Sequence, residues 1–172
     1  LYAPTAWAQN IPFGESAHDP KVDQIFPWER QGDNDVRSHP LVRIIARFTP
    51  SFSPVSHLSI RVTETGATIE YAKATDRDLT RIRRAESKLD KSQTDKFMDT
   101  FWENLGKSAE SIKKELGMIA LDGTNYEVRV TASLASLTYI VRDEEASEVV
   151  TGQGVIRWLN VIRLDMEKRL PK

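Results

Sequence analysis

The chain predicts an α+β fold: an antiparallel sheet built from two strand meanders, with a central and a C-terminal helix packed on one face. Three observations carry that expectation. Leu89 to Leu105, LDKSQTDKFMDTFWENL, spaces large apolar residues as a helix does, while Leu41 to Lys73 and Tyr126 to Arg142 alternate apolar and polar residues with a period of two. The resulting order, strands, helix, strands, helix, is that of a domain whose helices are segregated to one side of its sheet.

Taken in order, LYAPTAWAQN places Ala6 and Ala8 at the A-x-A spacing favoured by signal peptidases. Residues 1–8 are therefore expected to be the tail of a signal peptide cleaved near Ala8, with the mature chain exported to the periplasm or secreted. Residues 9–40 are expected to form an irregular arm, because Pro12, Pro20, Pro27, Pro40, Gly14 and Gly32 interrupt any long element. One short helix is predicted at Asp19-Pro20, a cap followed by a first-turn proline, with Val22, Ile25 and Phe26 tucked against the body. Ile11, Phe13 and Trp28 extend that packing, and the first few residues are expected to be disordered.

Residues 41–170 read as a single domain. In the first strand Val42, Ile44, Ala46 and Phe48 share one face and Arg43, Ile45 and Arg47 the other. Leu58, Ile60 and Val62 then point inward against Ser59, Arg61 and Thr63, and Thr65-Gly66 marks a tight turn into a strand with Ile69 and Tyr71 inward. Residues 78–86, DLTRIRRAE, fit both periods and are assigned to a fourth strand leading into the central helix.

Asp90 or Ser92 caps that helix, since Gln93 or Asp95 follows three residues later to complete a capping box. Phe97, Met98, Phe101, Trp102 and Leu105 form its apolar face, read as core in preference to a ligand groove, and Gly106 is the expected stop. A second short helix is predicted over 108–116, followed by a turn at Asp122-Gly123. A second hairpin comes next, with Tyr126, Val128 and Val130 answered by Leu137, Tyr139 and Val141. The C-terminal helix, from about residue 151 to 170, aligns Val155, Trp158, Leu159, Ile162 and Met166.

Composition narrows function mainly by exclusion. With 40% hydrophobic residues in 172 and no long apolar run, no segment is expected to span a membrane. A net charge of −1 gives no general pull toward nucleic acid, and the basic run Arg81, Arg83, Arg84 is offset by Asp76, Asp78 and Glu86. Zero cysteines rule out a thiol nucleophile, a disulfide framework and thiolate zinc sites. His18, His39 and His57 have no second ligand at metal spacing, there is no G-x-S-x-G elbow, and Gly152-Gln153-Gly154 lacks the remainder of a phosphate loop. No catalytic residue, cofactor or metal is assigned.

What remains is a set of arginines. If both meanders join one sheet, its outer face collects Arg43, Arg47, Arg61, Arg129 and Arg142 against Glu70 and Glu127. Guanidinium forks on a rigid sheet suit an anionic partner, whether carboxylates of another protein or acidic groups of a cell-envelope component; the competing reading is a solvated, internally paired strand face. The expected function is a non-enzymatic exported binding protein: an inhibitor, an immunity-type partner or an accessory protein. Two alternatives stand beside it. One is an envelope hydrolase with a site assembled from dispersed residues around His57 or His39; the other is a structural domain that homodimerises through a sheet edge or the Trp158 helix.

Overall fold

A computed structural model describes residues 20–26, 41–50, 54–76, 78–112, 124–132, 135–142 and 154–172. Six strands form one antiparallel sheet: β1 (Val42–Pro50), β2 (Ser56–Thr63), β3 (Gly66–Ala74), β4 (Ile82–Asp90), β5 (Thr124–Ala132) and β6 (Ala135–Arg142). Their spatial order is β4-β3-β2-β1-β5-β6. The first four strands make a meander, and the chain then passes through α2 (Lys91–Ile112) to reach the opposite edge, where β5 pairs with β1. The C-terminal helix α3 (Val155–Lys168) lies with α2 on one face, whereas α1 (Pro20–Ile25) packs on the other.

Alternation decides which face is dry. Ile44, Ala46, Phe48, Leu58, Ile60, Ile69, Tyr71, Val128 and Val130 are all buried against Met98 and Phe101 of α2 and Val155, Leu159 and Met166 of α3. The strand expected over 78–86 is present but shifted: β4 begins only at Ile82 and runs on to Asp90, because β3 offers it a complete antiparallel ladder from Gly66↔Asp90 to Ala74↔Ile82. Gly66 is demanded by that ladder: a Cβ there would lie 2.3 Å from the Leu89 carbonyl oxygen. The β2–β3 turn falls on Glu64 and Thr65, one residue earlier than Thr65-Gly66, with Thr63 and Gly66 as its closing pair.

Asp90 is the cap of α2. Its carboxylate accepts the Gln93 N–H at 2.8 Å while the Gln93 side chain accepts the Asp90 N–H at 3.0 Å, so the box is reciprocal and Ser92 is not used. The expected stop at Gly106 is corrected: α2 runs on to Ile112, and the separate helix from 108 does not exist, residues 113–116 lying outside the described ones. Gly106 falls on the exposed side, where a missing side chain costs no packing, and the next inward residue, Ser108, is fully buried. The Ser108 hydroxyl donates to the Asn104 carbonyl at 3.1 Å and accepts the Val155 N–H at 2.7 Å. It thereby caps α3 from another helix, since Gly154, in a left-handed conformation at φ 95°, has no side chain to do so.

Two expected core residues are displaced outward. Trp102 is 45% exposed, because its position one residue beyond Phe101 turns the indole to the rim of α2, where it packs edge-on against the Phe101 ring. Leu137 is 47% exposed although it pairs with buried Val130, because β6 is an edge strand. The arm residues Ile11, Phe13 and Trp28, the turn at Asp122-Gly123 and the side chains of Tyr139 and Val141 lie outside the described set.

Candidate functional site

The face opposite α2 and α3 is built by the odd-numbered residues of β1. Arg43, Ile45 and Arg47 project there, and the ladders place Arg43 opposite Arg61, Ile45 opposite Ser59, and Arg47 opposite His57. On β5 the same three face Thr131, Arg129 and Glu127. One end of this face is covered by α1. Val22 and Phe26 are buried there with Ala72, Ala74 and Leu79, and the Phe26 ring stacks on His57 with centroids 5.5 Å apart and planes 14° from parallel.

Arg47 fastens that cover. Only 6% exposed, it donates from Nη1 to the Asp23 carboxylate and from Nη2 to the Phe26 carbonyl, both at 2.5 Å. Burial pushes its guanidinium below the ordinary arginine value, and the hydrogen bond and charge of Asp23 oppose that shift. Leu79 reaches the same cluster from a left-handed backbone, φ 59°, which is unfavourable for a residue with a Cβ. The turn is held by Asp76, whose carboxylate accepts the Thr80 N–H at 2.8 Å and the Thr80 hydroxyl at 2.7 Å. Those bonds, the backbone one first, keep the Asp76 carboxyl below the usual aspartate range.

Between α1 and strands β1 to β4 lies a cleft of about 620 Å³. Its β1–β2 side presents Arg43, Arg61, His57 and Ser59, and its β3–β4 side presents Glu70, Glu86 and Arg84. Arg61 donates to Glu70 at 3.4 Å, a long contact, and the Arg61 Nε, buried, has no hydrogen-bond partner among the described residues.

The five arginines singled out from sequence thus separate. Arg43 and Arg61 are in the cleft. Arg129 stands beside it on β5, with Nε and Nη2 both donating to one Glu127 oxygen, at 3.1 and 2.9 Å. Arg47 is beneath α1, buried and bonded to Asp23 and the Phe26 carbonyl, so it holds the wall of the cleft. Arg142 is at the far corner, its backbone paired with Asn125, and its side chain lies outside the described set, as does His39. Sequence reasoning missed Arg84 and Glu86 as members of the site, because only the pairing of β4 with β3, Ala72↔Arg84 and Glu70↔Glu86, brings them to this face. It also missed the wall formed by Gln24 and Phe26; the Val22–Phe26 spacing marked a packed turn but not the surface it would cover.

A smaller cavity of about 230 Å³ opens between α3 and the end of β1. Its polar side chains are largely engaged in helix-to-sheet packing: Lys73 and Arg163 both meet Glu167, the latter at 3.5 Å, and the Arg163 guanidinium lies 5.4 Å over the Phe48 ring. Among the described residues no group of three or more His, Asp or Glu side chains is placed to hold a metal ion, and no helix is long and apolar enough to cross a membrane. Comparison with protein-family models, with curated proteins and with solved structures finds no match for this chain.

Proposed function

We propose that the chain is a non-enzymatic binding protein that holds another protein, or an anionic ligand of the cell envelope, against the sheet face opposite α2 and α3. The same proposal places its action in the envelope or outside the cell, the compartment to which the Ala6-Trp7-Ala8 spacing points.

The observation that supports this reading best is the cleft with Arg43 and Arg61 in direct cross-strand register. Like charges directly opposite each other on neighbouring strands repel, and an anion shared between two guanidinium forks relieves that repulsion. A hydrogen bond to a charged group contributes about 1.5–3 kcal/mol, so two such bonds are sufficient to orient a partner on this face. The rigid sheet behind them means little ordering cost on binding.

The test is affinity capture from a periplasmic or culture extract with wild type and an Arg43→Ala/Arg61→Ala/Arg129→Ala variant, after thermal melts establish that both are folded. Wild type is expected to retain a specific partner that the variant releases. Identical behaviour of the two proteins defeats the proposal.

A further inference from the structure

Among the described residues β4 has a strand neighbour on one side only, at the edge of the order β4-β3-β2-β1-β5-β6. The Thr75 N–H donates to the Arg81 carbonyl at 2.9 Å, so with a period of two the odd-numbered residues of β4 bond to β3. Ile82, Arg84, Glu86 and Lys88 therefore turn their backbone N–H and C=O groups to the open edge, and the last three carry exposed side chains. A strand of 9 residues without proline or glycine is a ready template for another strand. We infer that β4 pairs antiparallel with the β4 of a second copy of this chain, about a twofold axis at Ala85, so that Arg84 of each copy lies opposite Glu86 of the other. This goes beyond the proposed binding role, which one copy can fill.

Charge chooses the register. Even-numbered residues must exchange hydrogen bonds with even-numbered ones, so the axis falls on a residue and not between two. An axis at Arg83, Arg84, Glu86 or Lys88 sets a charge against its own copy, and like charges in direct opposition repel. An axis at Ser87 sets Arg84 against Asp90, whose N–H and carboxylate are already engaged by Gln93 in the cap of α2. At Ala85 both Arg84–Glu86 pairings are attractive, and Ile82 faces Lys88, whose methylene stem can cover it. Glu86 meets Lys88 of its own strand at 3.5 Å with both side chains well exposed, a weak pair that leaves it able to accept a guanidinium. Arg84, Ala85 and Glu86 also line the cleft, so the pairing sets two clefts on either side of one axis and brings a second arginine and glutamate to the rim of each.

The test combines mass and cross-linking on the whole chain, which has no cysteine of its own to confuse the second. At about 100 μM, where a micromolar dimer is largely formed, light scattering is expected to give twice the monomer mass. Glu86→Arg, at an exposed position, is expected to raise the dimer dissociation constant about tenfold or more, and adding Arg84→Glu to it is expected to restore the dimer. In the paired state the two Ala85 positions are a non-hydrogen-bonded pair with Cα atoms about 4.5 Å apart, within disulfide reach. The two Ser87 positions are then offset along the strands by roughly 14 Å. Under mild oxidation with diamide, Ala85→Cys is therefore expected to form a covalent dimer and Ser87→Cys to stay unlinked. A monomer mass for wild type, equal linking of the two cysteine variants, or no recovery in the charge-swapped double variant each overturn the pairing. Arg43→Ala/Arg61→Ala leaves β4 unaltered, so the mass of that variant and its partner capture separate a failure of this pairing from a failure of the binding face.

Discussion

Arg47 shows how a side chain's role is fixed by what lies over it. Its place in β1 is that of a surface cation, yet α1 converts it into a buried clamp bonded to Asp23 and to the Phe26 carbonyl. Arg47→Met keeps much of the bulk but removes both bonds and leaves the Phe26 carbonyl unsatisfied, which is expected to cost about 2 kcal/mol in urea unfolding. The same substitution is expected to speed exchange of the Phe26 amide, which closes α1 on the Val22 carbonyl; unchanged exchange would mean that the apolar contacts of Val22 and Phe26 suffice. Asp76 gives a pH dependence of definite sign. Its folded value is lowered, so its contribution to the 76–80 turn is present above the ordinary aspartate value of 3.8 and is lost as pH falls through the lowered folded value. Thr80 amide protection in wild type is therefore expected to exceed that in Asp76→Ala at neutral pH and to converge with it in acid. A gap that persists in acid would show that the turn is held by something else.

Helix α2 joins the two halves of the sheet, and its length determines where α3 can dock. The periodicity of Phe97, Met98 and Phe101 and the Asp90 box were readable from the chain, because both are local. Continuation through Gly106 was not, since a glycine at an exposed position costs a helix only about 1 kcal/mol, and the compensation comes from Ser108 meeting Val155 forty-seven residues away. Ser108→Ala leaves a buried Val155 N–H with no acceptor and is expected to cost about 1–3 kcal/mol, whereas Ser92→Ala, outside the capping box, is expected to be silent. Equal urea midpoints for Ser108→Ala and wild type would contradict the cross-helix cap. The strands were readable for the same local reason: Val42, Ile44 and Phe48 against Arg43 and Arg47 leave one register with a dry face. Trp102 and Leu137 were misplaced because spacing gives the side of an element but not how far the neighbouring layer extends.

Among the described residues the molecule is a sheet with two unlike faces, one covered by α2 and α3 and the other partly roofed by the short helix α1. The arginine face could be listed from the sequence, but not its arrangement, which depends on β5 pairing with β1 and on α1 settling over Arg47 and His57. Both are long-range choices that no local pattern encodes. On the helix side Val161 and Leu164 of α3 are 56% and 50% exposed, which makes them the control surface for a test of the cleft. The deciding measurement is captured-partner affinity for two folded variants, Arg43→Ala/Arg61→Ala on the cleft and Val161→Glu/Leu164→Glu on the helix side. Binding through the cleft predicts at least a tenfold loss for the first and no change for the second, about 1.4 kcal/mol against none. Loss confined to the helix-side variant would contradict it.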